Sequence, residues 1–343
     1  MNVSFKGRNH TIDDLLTNPS QETIDLMREL EGDLMIIGVG GKMGPSLAKM
    51  AKRAIDFENL QKKVIGVSRF SDQKKKKELE DHGVETIVAD LLDDEEVKNL
   101  PDIRNIIFMA GQKFGTQLHS YHTWAINTIT PATIAEKFKK SRIVVFSSGN
   151  IYPMTSIHGG GAREETEPSP IGEYAQSVLG RERVFEYFSH KNQTPMLFFR
   201  LNYAIDVRYG VLVDIARAVK EGEPIDLTTG NVNVIWQGDA NDRALRSLIF
   251  TSVPPKILNI TGPETISVRW IAEEFGKRFG IKPQFQGNES QEALLNNASY
   301  SNKLFGYPQV TIHHMIEWVA QWLTERRELW DKPTHFQERR GRF

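Results

Sequence analysis

The chain contains no cysteine among its 343 residues. This absence excludes disulfide bonds, thiolate nucleophiles and cysteine-ligated metal sites, and it is typical of proteins from a reducing compartment. The chain also lacks an apolar run approaching the ~18 residues needed to cross a membrane, and its first residues lack the pattern of a signal peptide. We therefore expect a cytoplasmic protein with no membrane partner.

A strong charge of either sign is also missing, because 43 Lys and Arg residues nearly balance 44 Asp and Glu residues. The formal net charge of −1 argues against a nucleic-acid partner, which would require a basic face. Hydrophobic residues make up 39% of the chain, as in ordinary globular proteins, and the length allows one large α/β domain or two smaller lobes.

The stretch from Leu34 to Ala51 predicts a short buried strand, a glycine-rich turn and a helix that begins at Pro45. Glycine permits positive φ and lets a pyrophosphate approach the backbone, while the helix N-terminus attracts the anion through its unpaired N–H groups. Such a turn could also bind nothing, but its place between strand and helix favours a dinucleotide site. The residues predicted to bind the cofactor here are Gly38, Gly40, Gly41, Lys42, Met43 and Gly44.

The end of the second predicted strand, residues 63–67, indicates which dinucleotide is bound. Folds selective for NAD place an acidic residue here to bind the ribose 2′-hydroxyl, whereas this chain has Ser68 and Arg69. The guanidinium of Arg69 suits a 2′-phosphate by its charge and its fork of donors, and Lys42 would add a second cation. We therefore expect NADP, with NAD as the alternative. The lysine run 74–77 is typical of a solvated helix face.

Three further apolar stretches predict strands at residues 85–90, 105–109 and 142–146. The first two are continuous apolar runs, as expected of strands covered on both faces. Ligands bind at the carboxyl ends of parallel strands, so the residues at those ends are candidates for the site. These candidates are Asp90 and Leu91 for the cofactor, with Asp90 at its adenine, Ala110 and Gly111 where the backbone passes the cofactor, and Ser148 and Asn150 for the substrate.

Two helical stretches accompany these strands. Residues 119–140 are predicted to form a helix broken near Pro131, which carries His119 and His122 without a third partner at metal-ligand spacing. We expect these histidines to pack or to line the substrate, and we expect no metal site. Residues 171–189 are predicted to form a second helix, which carries Tyr174.

The order of these features resembles that of the extended short-chain dehydrogenases/reductases in the NAD-dependent epimerase/dehydratase family. The resemblance runs from residue 34 to about residue 325, with every landmark in the family's order. It is carried by the glycine turn and by Asp90, Ala110–Gly111, Asn127, Phe146–Ser148, Ile151–Pro153, Glu165–Pro168, Arg200–Tyr203, Val234–Asp239, Leu258–Glu264 and Asn302–Tyr307.

The resemblance implies a doubly wound parallel Rossmann sheet with a smaller C-terminal α/β substrate lobe, and it implies a homodimer. The cofactor-binding domain would comprise residues 34–200 and about 231–260, and the substrate lobe about 201–230 and 261–343. Residues 1–33 lie ahead of the resemblance, and the helical spacing of their apolar residues predicts an extension of two short helices.

The resemblance also assigns roles to individual residues. Ser148 would hydrogen-bond the substrate oxygen, and Tyr174 would exchange a proton with the substrate hydroxyl while hydride passes to the nicotinamide. Asn127 would contribute to the cofactor site, and Asn150 and Asn202 to the substrate site.

One position departs from the family pattern. The family's lysine four residues after the tyrosine lowers the tyrosine pKa and binds the nicotinamide ribose, but Val178 stands here. Arg181, on nearly the same helix face, or Lys113, after the fourth strand, could supply the missing charge. Alternatively Tyr174 only positions the substrate and another residue is the base, for which the candidates are Glu165, Glu173 and His119.

Two functions from different classes therefore stay open. The first is an NAD(P)-linked oxidoreductase, epimerase or dehydratase that acts on a sugar-like or hydroxylated small molecule. The second is a non-catalytic NADP-binding sensor or assembly protein, which the valine at position 178 favours. The presence of both Ser148 and Tyr174 favours the enzyme, because a sensor has little physical need for the pair.

Overall fold

A sheet of seven parallel strands forms the centre of the protein in a computed structural model, which describes residues 11–113, 119–330 and 332–342. The strands are β1 (Leu34–Ile37), β2 (Val64–Ser68), β3 (Glu85–Val88), β4 (Asn105–Phe108), β5 (Arg142–Ser148), β6 (Met196–Leu201) and β7 (Lys256–Ile260). Their order across the sheet is β7-β6-β5-β4-β1-β2-β3, and all neighbours are parallel. The winding reverses between β1 and β4, so the carboxyl ends of these strands flank the crevice where such sheets bind ligands. The predicted doubly wound fold is confirmed.

Two strands differ from their predictions. β3 is the outermost strand, and Glu85 and Val88 are exposed on it, so the expectation that both of its faces are covered is wrong. The physical reason is its place at the sheet edge, where the flanking helices cover less of the surface. β5 extends beyond the predicted residue 146 to Ser148, which pairs with Leu201 of β6. Ser148 therefore lies on the rigid sheet.

Helices surround the sheet and build much of the remaining chain. They are α1 (Ile12–Thr17), α2 (Gln21–Glu29), α3 (Gly44–Phe57), α4 (Gln73–Asp81), α5 (Asp94–Lys98), α6 (Ser120–Trp124), α7 (Thr130–Lys137), α8 (Gly172–Asn192), α9 (Val211–Glu221), α10 (Gln237–Arg246), α11 (Val268–Phe279), α12 (Ser299–Phe305) and α13 (Ile312–Thr324). Gly222 and Gly280 end α9 and α11 in the left-handed conformation. No helix in the described ranges is long and apolar enough to cross a membrane.

Short strands outside the sheet link the segments of the second half of the chain. Residues 231–236 form two short strands, which pair with different partners. Asn231–Val232 runs antiparallel to Ile266–Ser267, whereas Ile235–Trp236 runs parallel to Ala204–Ile205. The other short pairs are Pro224–Asp226 with Gln284–Gln286 and Thr155–Ser156 with Glu292–Ala293.

Apolar residues gather in cores on the two faces of the sheet and in a separate core, which we call the second core, built mainly on α9, α11 and α13. The rings of Trp236 and Trp318 meet edge to face in the second core, with their centroids 5.0 Å apart. The predicted N-terminal helices are present and join both regions: Met27 of α2 packs against the sheet, and Leu16 of α1 packs in the second core.

Candidate active site

A cavity of about 290 Å³ opens between the carboxyl ends of the central strands and the second core. It brings together residues that lie far apart in the sequence, from the turn after β1 to the C-terminal segment. The predicted site residues that line it are Gly38, Gly41, Lys42, Met43, Gly111, Ser148, Asn150, Tyr174 and Asn202.

The glycine turn after β1 is shaped by close backbone packing. Gly38 has a φ of +89°, and a Cβ added there would lie 2.5 Å from the amide nitrogen of Ala110. A Cβ added at Gly44 would lie 2.1 Å from the carbonyl oxygen of Val39. A Cβ added at Gly41 would meet only the Gly38 carbonyl oxygen, at 3.4 Å. Gly38 and Gly44 thus fix the turn, while Gly41 leaves its inner surface open to the cavity.

The start of α3 offers donors for an anion. Met43 precedes the helix without a side-chain hydrogen bond to its first amides, and Pro45 occupies the first turn. The first N–H groups of a helix have no partner within the helix, and they attract phosphate groups. Together with the open surface at Gly41, this helix start fits the diphosphate of a nicotinamide dinucleotide, the cofactor that the sequence predicts.

The end of β2 carries the groups expected to distinguish NADP from NAD. Arg69 is exposed there, and the Ser68 hydroxyl lies against Gly40, where an added Cβ would approach it to 2.5 Å. The ammonium group of Lys75 donates to the carbonyl oxygen of Gly40 at 3.3 Å. Lys75 belongs to the lysine run that the sequence predicts to be a solvated helix face. Its contact with the turn was not predicted, because the packing of α4 against the turn determines where its side chain points.

Lys42 lies elsewhere than expected. Its ammonium group donates to the carbonyl oxygen of Ala204 at 3.0 Å and lies 3.8 Å from the centroid of the Tyr209 ring. Both contacts belong to the chain beyond β6, so Lys42 reaches into the cavity between the sheet and the second core. The structure therefore gives no support to its expected pairing with Arg69 at the 2′-phosphate.

The remaining predicted cofactor residues lie around the turn and beyond β3. Ala110 is nearly buried and packs its backbone against Gly38. Asp90 caps the turn after β3, because its carboxylate accepts from the amide of Leu92 at 3.0 Å, and Leu91 is buried. Neither Asp90 nor Leu91 lines the cavity. Any contact that they make with a cofactor would be with a part of it that lies outside this cavity.

Ser148 and Tyr174 meet in the cavity. Ser148 caps the short 3-10 turn Gly149–Ile151, and its Oγ accepts the amide hydrogen of Asn150 at 3.2 Å. The hydroxyl is left able to donate, and it hydrogen-bonds the phenol of Tyr174. Burial raises the pKa of Tyr174, while the charge of Arg181 and the bond from Ser148 oppose that rise.

Arg181 brings a positive charge into the cavity, whereas Val178 lies in an apolar cluster. Val178 is 1% exposed and packs with Ile151 and Tyr152 in a small apolar cluster. Arg181, 5% exposed, lines the cavity and donates to the carbonyl oxygen of Phe146 at 2.8 Å. Burial lowers its pKa to about 10, so the guanidinium stays charged at neutral pH.

Asn127 and Gly111 make room for this guanidinium. Arg181 donates a second hydrogen bond to Oδ1 of Asn127, whose amide group also donates to Ser177 at 2.9 Å. A Cβ added at Gly111 would lie 2.2 Å from Nη2 of Arg181. The absence of a side chain at Gly111 therefore leaves the space that the guanidinium of Arg181 occupies. The position of Gly111 after a strand does not by itself indicate this role.

The segment that carries Asn127 is a π-helical turn, Ala125–Ile129, between α6 and α7. The predicted break near Pro131 is thus a widened turn just before the proline, which has no N–H to donate to the preceding turn. π-helical turns are frequent at functional sites because they re-aim a side chain. Here the turn directs Asn127 toward Arg181.

The other candidates for charge or base fall into two groups. The ammonium group of Lys113 lies 5.8 Å from the centroid of the Tyr174 ring, and burial lowers its pKa to about 8. In contrast, the carboxylate of Glu173 accepts from the indole of Trp124 at 2.5 Å outside the cavity. Glu165 and His119 are exposed and do not line the cavity.

Residues from four landmarks of the sequence form a buried polar network behind the site, together with Glu182. Arg200 makes two hydrogen bonds to the carboxylate of Glu182, at 2.9 and 2.7 Å, and a third to the hydroxyl of Tyr152. Tyr152 donates to Asn259 at 2.9 Å, and Ser147 donates to Glu182 at 2.5 Å. This network ties β5, β6, β7 and α8 together, so these residues support the site without entering its chemistry.

The far wall of the cavity belongs to segments for which the sequence predicted only Asn202. Tyr203 has a φ of +41°, in the left-handed region, where the chain leaves β6. Tyr209 and Thr334 also line the cavity, and burial raises the pKa of both Tyr203 and Tyr209. Thr334 donates through its amide and its hydroxyl to the carboxylate of Asp214 on α9, at 2.8 and 2.6 Å.

Comparison with solved structures shows the same fold at low sequence identity. Pal from Bacillus thuringiensis matches with a TM-score of 0.68 and 15% identity, over 86% of this chain and 100% of that chain. UDP-glucuronic acid 4-epimerase from Bacillus cereus, in complex with NAD, gives 0.70 and 17%, over 86% and 100%. UDP-glucose 4-epimerase from Thermus thermophilus, also with NAD, gives 0.66 and 17%, over 84% and 97%.

No protein with a curated description matches the chain in sequence. The model of one protein family, described as the NAD dependent epimerase/dehydratase family, matches residues 34–240, which is more than half of the chain. The matched residues contain the glycine turn, both members of the Ser148–Tyr174 pair and Arg181. The chain is a member of the NAD dependent epimerase/dehydratase family.

Proposed function

We propose that the protein is an NAD(P)-dependent oxidoreductase, epimerase or dehydratase that acts on a hydroxyl group of a sugar-like or otherwise hydroxylated small molecule. The observation that carries the proposal is the hydrogen-bonded pair of Ser148 and Tyr174 beside the guanidinium of Arg181. The three lie in one cavity at the switch point of a dinucleotide-binding sheet. When bound, the nicotinamide would supply the hydride acceptor or donor for this hydroxyl.

Ser148, Tyr174 and Arg181 would each have a different role in the reaction. Ser148 accepts from the amide of Asn150, and when substrate is bound its single hydroxyl hydrogen would turn from Tyr174 to the reacting oxygen. Tyr174 removes the proton from a hydroxyl, or returns it to a carbonyl oxygen. Arg181 stabilises the phenolate by its charge, which counteracts the effect of burial on the pKa of Tyr174.

The cofactor site supports NADP as the preferred dinucleotide. The open glycine turn and the uncapped start of α3 would bind the diphosphate. Arg69 and Lys75 flank the end of β2, where they would bind a 2′-phosphate by charge. Solved relatives of the fold contain NAD, so the choice between the two cofactors is part of the proposal.

Several finer assignments complete the proposal. Asn150 and Asn202 line the cavity and would bind substrate hydroxyls. The second core draws residues mainly from 205–236 and 266–336, with Leu16 from α1, which supports the proposed substrate lobe. Tyr121, Ile129 and Tyr187 are exposed on neighbouring helices beside the sheet, which supports a homodimer through this face. The lack of cysteine supports a cytoplasmic location.

The test is a screen for reduction of NADP+ and NAD+ with sugars, sugar acids and nucleotide sugars. On any substrate found, we expect Tyr174→Phe to lower kcat by roughly 10²–10⁴-fold, with Ser148→Ala causing a smaller loss. Cofactor affinity should change little in either variant. In the same assay, Arg69→Ala should weaken NADPH binding much more than NADH binding.

Two outcomes would contradict the proposal. Full activity in Tyr174→Phe would show that another group moves the proton. Tight cofactor binding without turnover on any substrate would favour a sensor or assembly protein, the function that the loss of the usual lysine suggests.

A further inference from the structure

The C-terminal segment, residues 332–342, lies beyond the residues that the family model matches, and it forms neither a helix nor a strand. Two of its side chains are nevertheless buried, those of Thr334 and Phe336. Phe336 packs in the second core, and Thr334 lines the cavity. The segment is therefore part of the cavity wall, although no regular element of its own holds it there.

One end of the segment is fixed to the second core. Thr334 donates its amide and hydroxyl hydrogens to the carboxylate of Asp214 on α9. His335 has a φ of +54°, in the left-handed region, where the chain turns between the two buried side chains. Residues other than glycine rarely adopt this conformation, and they keep it where surrounding contacts impose it. The cavity end of the segment is thus held in one conformation by its neighbours.

The other end of the segment crosses the start of α8. Gly172 and Gly341 both have a positive φ, +82° and +72°. A Cβ added at Gly341 would lie 2.3 Å from the carbonyl oxygen of Ile171, and a Cβ added at Gly172 would lie 2.4 Å from the carbonyl oxygen of Gly341. Because neither glycine has a side chain, the two backbones touch at a point only two residues before Tyr174 in the sequence.

Hydrogen bonds also hold the segment between its two ends. Arg339 donates to the carbonyl oxygens of Thr228 and Glu292, at 3.1 and 2.8 Å. The hydroxyl of Thr229 donates to the carbonyl oxygen of Gln337 at 3.4 Å. The segment therefore links the second core, the cavity and the start of α8 by fixed contacts along its length.

The start of α8 needs such support. Ile171 precedes the helix without a side-chain hydrogen bond to its first amides, and helix ends of this kind fray. Tyr174 lies in this first turn, which is held by the bond from Trp124 to Glu173 and by the crossing at Gly341. The phenol must reach the reacting oxygen at hydrogen-bond distance, and a misplacement of about 1 Å can cost roughly 10²-fold in rate.

We propose that residues 332–342 position the catalytic tyrosine. With Thr334 at the cavity and Gly341 against the start of α8, the segment holds the first turn of α8, and with it the phenol of Tyr174, at a fixed place relative to the bound substrate. Gly172 and Gly341 are positioning residues, because they act through Tyr174 and do not line the cavity. The inference rests on the proposed function and adds to its site an element outside the family match.

The test compares Gly341→Ala with Gly222→Ala. Both glycines have a φ of +72°, so alanine imposes similar backbone strain at each, but a Cβ at Gly222 meets no atom within 4 Å. On the substrate found in the screen, Gly341→Ala should lower kcat by roughly 10²-fold, whereas Gly222→Ala should lower it by less than about twofold. The substrate KM and the NADPH affinity should change little in either variant, because the crossing lies outside the cavity.

A second measurement needs no substrate. Amide hydrogen exchange of the NADPH-bound protein is followed at residues 176–178, whose N–H groups donate to the carbonyl oxygens of residues 172–174 in α8. Gly341→Ala should speed this exchange about tenfold relative to Gly222→Ala. Arg339→Met removes two hydrogen bonds of the segment without adding an atom at the crossing, so it should give a smaller increase at the same amides.

Three results would overturn the inference. They are equal kcat values in the two alanine variants, a loss of kcat in Gly341→Ala that an equal loss of NADPH affinity accompanies, and unchanged exchange at residues 176–178 in both Gly341→Ala and Arg339→Met. Failure of the proposed function is separate. The parent protein would then turn over no substrate, and the exchange measurement would still decide whether the segment holds the start of α8.

Discussion

The two walls of the cavity are built in different ways. The wall on the sheet side is largely backbone: Gly38 and Gly44 bring main-chain segments together, and α3 presents its first amides. The opposite wall is made of side chains, among them Tyr209 and Thr334, that arrive from segments more than a hundred residues apart. The first wall suits a cofactor with a fixed shape, whereas the second can differ between proteins of one fold and select a substrate.

This difference predicts different responses to small substitutions. On the sheet side, one added methyl group collides with backbone, which cannot move away cheaply. On the far side, a lost hydroxyl removes one hydrogen bond and leaves the packing in place.

The largest effect is expected from Gly44→Ala. Its Cβ would lie 2.1 Å from the Val39 carbonyl oxygen, so the turn must shift, and the free energy of unfolding should fall by about 3 kcal/mol or more. Chemical denaturation measures this loss, and NADPH titration should show weakened binding.

Gly41→Ala is the matched control for that substitution, because its Cβ meets only one atom, at 3.4 Å. We expect it to leave the free energy of unfolding nearly unchanged and to weaken cofactor binding alone. Equal losses of stability in the two variants would show that the backbone packing described for the turn is not what fixes it.

A smaller effect is expected where the sheet wall meets a side chain. Gly111→Ala would displace Arg181 and should lower kcat by roughly 10²-fold, as should Arg181→Gln. Because the charge of Arg181 lowers the pKa of Tyr174 against the effect of burial, losing it should move the rising, acidic limb of the pH profile for substrate oxidation to higher pH.

The pH profile and a double variant separate this role from simple damage to the fold. If Gly111→Ala acts through Arg181, adding Arg181→Gln to it should cost little more activity. Losses that multiply would show that Gly111 contributes mainly by its own contact with the cofactor.

The smallest effect is expected on the far wall. Thr334→Val removes the 2.6 Å hydrogen bond from the hydroxyl to Asp214, while the hydrogen bond from the backbone amide of residue 334 remains. The free energy of unfolding should therefore fall by about 1–2 kcal/mol. The substrate KM should rise while NADPH affinity stays constant. A change in NADPH affinity with an unchanged KM would show that the far wall binds the cofactor and not the substrate.

The sequence by itself determined the doubly wound fold, the glycine turn and the positions of Ser148 and Tyr174. These features depend on local patterns, namely apolar strands and glycines at fixed spacing. It also identified Val178 as a departure, and it named Arg181 and Lys113 as two possible sources of charge.

Only the tertiary structure decided which way the long charged side chains point. In the folded chain Arg181 lies near Tyr174, Lys75 contacts the glycine turn, and Lys42 reaches across the cavity. The tertiary structure also made β3 an edge strand and delivered Thr334 to the site. The physical reason is that a lysine or arginine has several rotatable bonds, so the contacts that fix its charge come from distant segments, which no local pattern encodes.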